Sequence, residues 1–167
     1  MENKTLGVIG LGKIGSRVAE IGKRGFNMNV ITYNRTPKNL AGIKEVSLEK
    51  LLKESDVIAV TCDLNPTSKN LIGEKEFNLM KPTAIIVSTT WGVIDVSALI
   101  NALKNKRIFG AGLDVDNEFP KELLEFKNVV LTPHNAYNTK EAQIRRVDIC
   151  IDNIESFLEG KPKNIVN

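Results

Sequence analysis

"GVIGLGKIGSRVAE", residues 7–20, is the stretch that decides the fold. It opens with short apolar residues typical of a buried strand, and from 13 to 24 the apolar side chains recur with helical spacing. Gly10, Gly12 and Gly15 form a GxGxxG pattern at the junction. The stretch therefore predicts a strand, a tight turn and the start of a helix.

Each glycine of this turn has its own physical task. Gly10 permits the tight turn, Gly12 lets a pyrophosphate approach the backbone, and Gly15 allows close packing of helix on strand. The free N–H groups of Lys13 and Ile14 would face the phosphates at the positive end of the helix dipole. In this context the pattern predicts a dinucleotide site. A glycine-rich turn without a ligand is the alternative.

Beyond this unit, short apolar runs alternate with amphipathic stretches to the end of the chain. Alternating strands and helices indicate a parallel sheet covered on both faces. We therefore predict an α/β fold with a Rossmann-type doubly wound sheet, and a single dinucleotide-binding domain over 1–167 whose last few residues form a tail. The predicted strands are 5–10, 28–33, 56–60, 83–88, 107–113 and 128–132, and the helices are 13–24, 47–54, 74–80, 95–105 and 139–159.

Composition narrows the class of protein. The chain has 167 residues, is 42% hydrophobic and 26% charged, and carries a net charge of +3, as in an ordinary globular protein. Its basic residues are scattered, so we expect neither nucleic acid nor a membrane as partner. Cys62 and Cys150 have no metal-ligand spacing, and we expect no metal site and two free thiols. Without a leader or a long apolar span, a cytoplasmic location is expected.

The end of the second strand bears on the choice of cofactor. NAD-selective sites usually place an Asp or Glu there, bound to the ribose 2′-hydroxyl. This chain has Asn34, followed by Arg35 and Thr36. A guanidinium and a hydroxyl can hold a 2′-phosphate, and no carboxylate repels it. We therefore expect NADP(H) to be preferred over NAD(H). The alternative is that Arg35 is a solvated loop residue and either cofactor binds.

Later motifs identify a family. "GVIGLGKIG" is followed by "SDVIAVTCDLNPTSKNLIGEKEFNLMKPTAIIVSTTWGVIDVSALINALKNKRIFGAGLDV" and then by "NVVLTPHNAYNTKEA". In order and spacing, these motifs resemble the nucleotide-binding domain of the D-isomer-specific 2-hydroxyacid dehydrogenases. The resemblance runs from about Leu6 to the C-terminus. It implies an NAD(P)-dependent oxidoreductase that moves hydride between the cofactor and a 2-oxo or 2-hydroxy acid.

Position by position, the resemblance also implies cofactor contacts. It assigns Lys13 and Ile14 to the pyrophosphate, and Asn34 with Arg35 to the adenosine ribose. Asp63 stands where the family usually has proline, and Asp114 would accept a hydrogen bond from the carboxamide unless it is only a turn cap. The remaining contacts along the cofactor and on its nicotinamide side are Cys62, Ser68, Thr89 and Thr90.

Catalysis in this family is attributed to a histidine, a glutamate and an arginine. His134, the chain's single histidine, matches the proton donor or acceptor. The glutamate should follow Asp114 by five positions and bond the histidine. Phe119 stands there, and the nearest carboxylate is Glu118, one position early. Glu118 is therefore expected either to reach the site by a local shift or to be a solvated loop acid.

The arginine is replaced. In "STTWGVID", residues 88–95, Trp91 occupies the position at which the family arginine clamps the substrate carboxylate. An indole has one N–H donor and no charge. Loss of such a clamp typically costs several kcal/mol of transition-state stabilisation. Two readings of Trp91 stay open: stacking on the cofactor, or a hydrophobic plug.

The family's substrate domain has no counterpart in this sequence, which resembles the nucleotide-binding half alone. Two hypotheses follow. The first is a dehydrogenase component that becomes active with a substrate domain, the chain alone being inactive or very weak. The second is a non-catalytic dinucleotide-binding sensor, regulatory or interaction module. The resemblance also implies a homodimer.

Overall fold

A computed structural model describes residues 1–36, 38, 42–116 and 118–166. The chain forms two compact units, Met1–His134 and Asn135–Asn167. The first unit holds seven strands: β1 Thr5–Ile9, β2 Asn29–Tyr33, β3 Lys44–Glu45, β4 Val57–Val60, β5 Ile85–Ser88, β6 Gly110–Val115 and β7 Val129–Pro133. Its helices are α1 Lys13–Gly25, α2 Leu48–Glu54, α3 Glu74–Leu79 and α4 Val96–Lys104, with a 3₁₀ turn at Lys121–Glu125. The second unit contains α5, Lys140–Leu158.

The strands form one sheet in the order β3-β2-β1-β4-β5-β6-β7, and every pairing is parallel. This is the doubly wound Rossmann order, which reverses direction between β1 and β4. The predicted fold class is confirmed. Sequence reading missed β3, because its two residues, Lys44 and Glu45, are polar and become a strand only by pairing with β2 at the sheet edge.

Alternating side chains of the strands fill two hydrophobic layers, one on each face of the sheet. Leu6 and Val8 point into the smaller layer, which includes Ala19 of α1. Ile9 and Ile58 belong to the larger layer, which α2, α3 and α4 supply with apolar side chains. Strand side chains alternate between the two faces of the sheet, so both faces are apolar and both need a cover. As expected, α1 covers the smaller layer, and α2, α3 and α4 cover the larger one.

In α5, the side-chain oxygen of Thr139 accepts a hydrogen bond from the N–H of Ala142 at 3.1 Å, which caps the helix. The helices in the described parts of the chain are all too short or too polar to cross a membrane.

Whether residues 1–167 act as one dinucleotide-binding domain stays a prediction.

Parallel pairing brings the carboxyl ends of the strands to one edge of the sheet. Gly10 follows β1, Asn34 follows β2 and Thr61 follows β4. Residues after β5, β6 and β7 emerge along the same edge. In doubly wound sheets, ligands bind in the crevice at this edge where the strand order reverses.

Candidate functional site: a dinucleotide cleft and an adjoining open pocket

Two of the three motif glycines are required by the protein's own packing. Gly10 has a φ of +94°, and a Cβ there would lie 2.6 Å from the backbone nitrogen of Cys62. A Cβ at Gly15 would lie 1.9 Å from the carbonyl oxygen of Gly10, so α1 can approach β1 only with glycine at 15. Both glycines therefore have a structural explanation within the chain.

Gly12 has no such explanation. Its φ of −75° suits any residue, and a Cβ there would meet no atom of the described chain within 4 Å. The missing side chain instead leaves the backbone open toward a cleft at the sheet edge. A bound group that approaches the Gly12 backbone accounts for the glycine, so this position fits a dinucleotide pyrophosphate.

The start of α1 provides the donors for such a group. The first intrahelical bond runs from the N–H of Ser16 to the carbonyl of Gly12, at 3.0 Å. The N–H groups of Lys13, Ile14 and Gly15 precede it and have no acceptor within the helix. The first turn, described in full, carries no acidic side chain. The helix dipole therefore presents an uncompensated positive end to the cleft.

The cleft has a volume of about 610 Å³ and lies at the ends of β1, β2 and β4. It brings together most of the residues that the sequence predicted for cofactor binding. These are Gly10, Gly12, Lys13, Ile14, Asn34, Arg35, Thr36, Cys62, Asp63 and Ser68. Gly15 is buried beneath it, as a packing glycine should be.

Asn34 holds the glycine turn. Its Oδ1 accepts a hydrogen bond from the N–H of Leu11 at 2.6 Å. Its Nδ2 is buried and has no hydrogen-bond partner among the described residues. The side chain is neutral and its oxygen is directed at the turn, so the second strand ends without a carboxylate for a ribose hydroxyl.

Two cations line the same end of the cleft. Arg35 spans it by donating from Nη1 to Oγ1 of Thr67 at 2.8 Å, and Thr67 in turn donates to Oδ1 of Asn65 at 2.7 Å. Lys38 donates from Nζ to the carbonyl of Leu11 at 3.1 Å. Sequence reasoning missed Lys38. Its position in "YNRTPK", two residues after Thr36, was the available signal for a second cation at this end of the cleft.

The loop after β4 is held by local hydrogen bonds. Ser68 is buried; it donates to the carbonyl of Asp63 at 2.6 Å and accepts from the N–H of Asn65 at 2.8 Å. Cys62 is half-buried against Gly10, and this burial raises the pKa of its thiol. Ser68 thus shapes the cleft wall, while the Asp63 side chain is exposed.

The turn after β5 carries Trp91. Ser88 donates from Oγ to the carbonyl of Thr90 at 2.9 Å, and Gly92 completes the turn with a φ of +88°. Trp91 is half-buried and packs against the larger hydrophobic layer. With Thr90 and Asp114 it borders a small cavity of about 10 Å³, and Thr89 is exposed beside it. The indole is thus half-buried, and its role as a plug or as a stacking partner of the cofactor stays a prediction.

The ends of β6 and β7 carry the remaining predicted residues. Asp114 is only 7% exposed and accepts a hydrogen bond from Oγ1 of Thr132 at 2.5 Å. His134 follows β7, and its Nδ1 lies 2.5 Å from Oδ1 of Asp116. Asp116 was not among the residues predicted from the sequence.

Trp91, Asp116, Glu118 and His134 line an open pocket of about 500 Å³. The structure therefore brings Glu118 to the same pocket as His134, as the sequence-based shift requires, while the described partner of the imidazole is Asp116. Phe119 stands at the position expected for the glutamate and packs against the larger hydrophobic layer. Its apolar ring is used for burial, which leaves the acids before it at the surface. Across the described ranges, no group of three or more metal-ligating side chains is found.

A parallel sheet in this order, a glycine turn that opens onto a cleft and a helix N-terminus directed at it define a dinucleotide-binding domain. The comparisons with known proteins agree. Residues 1–136 match the NAD-binding domain of the D-isomer specific 2-hydroxyacid dehydrogenases. The chain belongs to this family, as its motifs predicted.

Individual relatives are similar over the whole chain. A glyoxylate reductase of Aeropyrum pernix is 44% identical, over 100% of this chain and 52% of the relative. A solved acyclic imino acid reductase in complex with NADPH and D-Arg is 39% identical with a TM-score of 0.93, covering 99% of this chain and 54% of that one. The NAD-complexed 2-hydroxyacid dehydrogenase of Lactobacillus delbrueckii ssp. bulgaricus is 34% identical with a TM-score of 0.90, over 98% and 56%. The chain spans about half the length of the curated relatives it matches.

Proposed function

We propose that this chain is the NADP(H)-binding part of a reductase that moves hydride between NADP(H) and a 2-oxo or 2-hydroxy acid when a substrate domain completes the site. The observation that carries the proposal is Gly12, whose missing side chain is explained by a ligand and by no contact among the described residues. The bound nicotinamide supplies the hydride. Everything else in the reaction falls to protein side chains.

The predicted residues on the phosphate and nicotinamide sides of the site have separate tasks in this proposal. Lys13 and Ile14 bind the pyrophosphate through their backbone N–H groups. On the nicotinamide side we assign the predicted contacts Thr89, Thr90, Trp91 and Asp114. His134 gives a proton to the substrate carbonyl oxygen during reduction and takes it back in oxidation. Glu118 stays a weaker candidate for the acid beside it.

The preference for NADP(H) is supported by charge at the end of β2. Arg35, Thr36 and Lys38 line the cleft there, and Asn34 is neutral. A 2′-phosphate is held by a guanidinium and a hydroxyl through charge-assisted hydrogen bonds. Among the similar solved structures, one binds NADPH and another NAD. The proposed preference for NADP(H) therefore rests on the residues of this chain.

Calorimetric titration of the purified chain with NADPH and NADH tests this preference. We expect NADPH to bind more tightly. Arg35→Ala should weaken NADPH binding by about 10- to 100-fold, the equivalent of one or two charge-assisted hydrogen bonds, and should leave NADH binding within about threefold. Arg24→Ala, which removes an exposed arginine of α1 outside the cleft, is the matched control. Tighter binding of NADH by the unaltered chain would contradict the proposal.

A non-catalytic dinucleotide-binding module is the second candidate, and Trp91 favours it. The pocket beside His134 is lined by an indole and two carboxylates, and its described lining includes no lysine or arginine that could hold a substrate carboxylate. An assay of the chain with NADPH and glyoxylate, hydroxypyruvate or pyruvate separates the candidates. Turnover by this chain would exclude the module.

The same lining also suits a substrate that carries a positively charged group beside its carboxylate. Carboxylates and an indole face attract an iminium or a guanidinium through charge and cation–π contact. Imino acids therefore belong in the assay, as mixtures of a 2-oxo acid with ammonia. Turnover that needs ammonia would assign the imino acid as substrate, whereas equal turnover without it would assign the 2-oxo acid.

Two further expectations accompany this function. A homodimer is expected from the family resemblance, and sedimentation that shows only monomers at micromolar concentration would count against it. A cytoplasmic location is expected, because NADP(H) and a free thiol at Cys62 suit a reducing compartment.

A further inference from the structure

The pairing of β6 with β7 determines which acid meets His134. Register partners in these strands differ by 18 positions, from Ala111 and Val129 to Val115 and Pro133. Continuation of this register by one residue pairs position 116 with position 134. Asp116 and His134 thus lie one residue past the ends of the two strands, two positions beyond Asp114 and Thr132, which are themselves in contact.

The contact is present at the expected place. Oδ1 of Asp116 lies 2.5 Å from Nδ1 of His134, a short hydrogen-bond contact between a ring nitrogen and a carboxylate oxygen. His134 has a φ of +48°, and its N–H donates to the carbonyl of Thr132 at 3.0 Å. A histidine in the left-handed region costs on the order of 1 kcal/mol, so the turn that carries the imidazole is specified by its surroundings.

We propose that Asp116, rather than Glu118, is the residue that positions His134. The proposal rests on the function proposed above, in which His134 exchanges the proton. Asp116 accepts a hydrogen bond from Nδ1–H, so Nε2 is the ring nitrogen assigned to proton exchange; His134 and Trp91 line the same pocket. A hydrogen bond at one ring nitrogen decides the tautomer and orientation of the other.

In reduction, the N–H bond at Nε2 of the imidazolium breaks and an O–H bond forms on the substrate oxygen. The imidazole left behind is neutral and keeps its other proton on Nδ1, where Asp116 accepts it. In oxidation the proton returns to Nε2. Asp116 only accepts the Nδ1–H hydrogen bond, so it is a positioning residue and exchanges no proton with the substrate.

Glu118 provides a matched control within the same pocket. Both acids are exposed, so truncation of either should leave the core intact. The position of Glu118 beyond the end of β6 is not determined by the strand register. A measurement that separates the two acids therefore separates a contact made by the register from general negative charge nearby.

The test is nitrogen NMR of the imidazole in alkaline solution, where it is neutral. Since His134 is the single histidine in the chain, each signal is assigned without ambiguity. In the unaltered chain we expect the proton mainly on Nδ1, whereas free imidazole side chains favour Nε2. Asp116→Ala should return the majority to Nε2–H, Asp116→Glu should retain Nδ1–H in part, and Glu118→Ala should leave the tautomer unchanged.

Several results would overturn the assignment. Predominant Nε2–H in the unaltered chain needs no variant and excludes a donor at Nδ1. A shift on Glu118→Ala without one on Asp116→Ala would make Glu118 the partner. Equal shifts in both variants, or none in either, would replace a specific pair with general charge. NADPH binding by the same samples is measured separately, so failure of the cofactor proposal is recognised independently of the tautomer.

Discussion

The dinucleotide cleft and the pocket around His134 lie at the same edge of one sheet, but they are built differently. In the cleft, Asn34 and Ser68 are hydrogen-bonded to the loops they shape, and a helix N-terminus faces the opening. At the pocket, the side chains of His134 and Asp116 are 64% and 51% exposed. The side chains that shape the cleft are therefore fixed by hydrogen bonds to its loops, whereas the pocket is open and its side chains are exposed.

This difference teaches which part of the function the chain holds by itself. Binding of phosphates requires backbone donors and close approach, and β1, α1 and β4 supply both. Chemistry on a substrate requires exclusion of water and a partner for its charge. In the proposals above, the described pocket supplies a proton donor, His134, and a positioning acid, Asp116, and a substrate domain supplies its other wall.

Gly15→Ala is expected to produce the largest effect, a loss of stability, because it disturbs the packing of α1 on β1 beneath the cleft. A Cβ at this position would lie 1.9 Å from the carbonyl of Gly10, and backbone cannot yield as a flexible side chain can. We expect a loss of about 3 kcal/mol or more in the free energy of unfolding, measured by urea denaturation. Gly25→Ala in the same helix is the control, since a Cβ there meets Ile21 at 3.7 Å, an ordinary contact. Equal stability of the two variants would contradict the packing role.

Gly12→Ala should separate binding from folding. A methyl group there has open space in the protein, so the urea midpoint should stay within error of the unaltered chain. The methyl group would meet the pyrophosphate, and binding of both NADPH and NADH should fall by about 100-fold, or roughly 2.7 kcal/mol. Titration calorimetry measures it. Unchanged affinity would remove the main support for the cleft as the cofactor site.

The smallest expected effect is a difference in the rate at which the two thiols, Cys62 and Cys150, are alkylated. Because burial raises the pKa of Cys62, less of it is thiolate at any pH below that value, and the thiolate is the form that iodoacetamide alkylates. Its alkylation should therefore be slow at neutral pH and reach half its maximal rate at a higher pH than in the urea-unfolded chain. Cys150, which is exposed, is the internal reference.

Peptide mass spectrometry reads both thiols in one sample. Saturating NADPH should slow the alkylation of Cys62, which lines the cleft, and leave that of Cys150 unchanged. Equal protection of the two cysteines would point to a general change in the protein rather than occupation of the cleft.

Local pattern was enough to predict most of the frame. Strand and helix positions followed from apolar spacing, and the predicted helix at 13–24 became α1 at Lys13–Gly25. The glycine turn and the basic end of β2 were also visible, because each is a short run of adjacent residues. Lys38 was missed although it stands in the same run, since its approach to the carbonyl of Leu11 depends on the folded loop.

The pocket around His134 was less predictable. Five positions after Asp114, where the family has its glutamate, stands Phe119, and the nearest carboxylate is that of Glu118. The described contact with His134 is nevertheless made by Asp116. Distance along the sequence does not reveal which residues of two strands face each other. That is decided by the register of β6 and β7, whose partners are 18 residues apart.

The sequence by itself determined the family and, apart from β3, the order of strands and helices, and it predicted the place of the phosphates, because these depend on periodicity and on glycines within a few residues of each other. Only the tertiary structure decided that Gly12 faces open space while Gly15 is packed, and that Asp116 meets His134. Those facts arise from how separate strands and a helix approach one another. No local preference of the chain specifies such an approach; the packing of the two hydrophobic layers does.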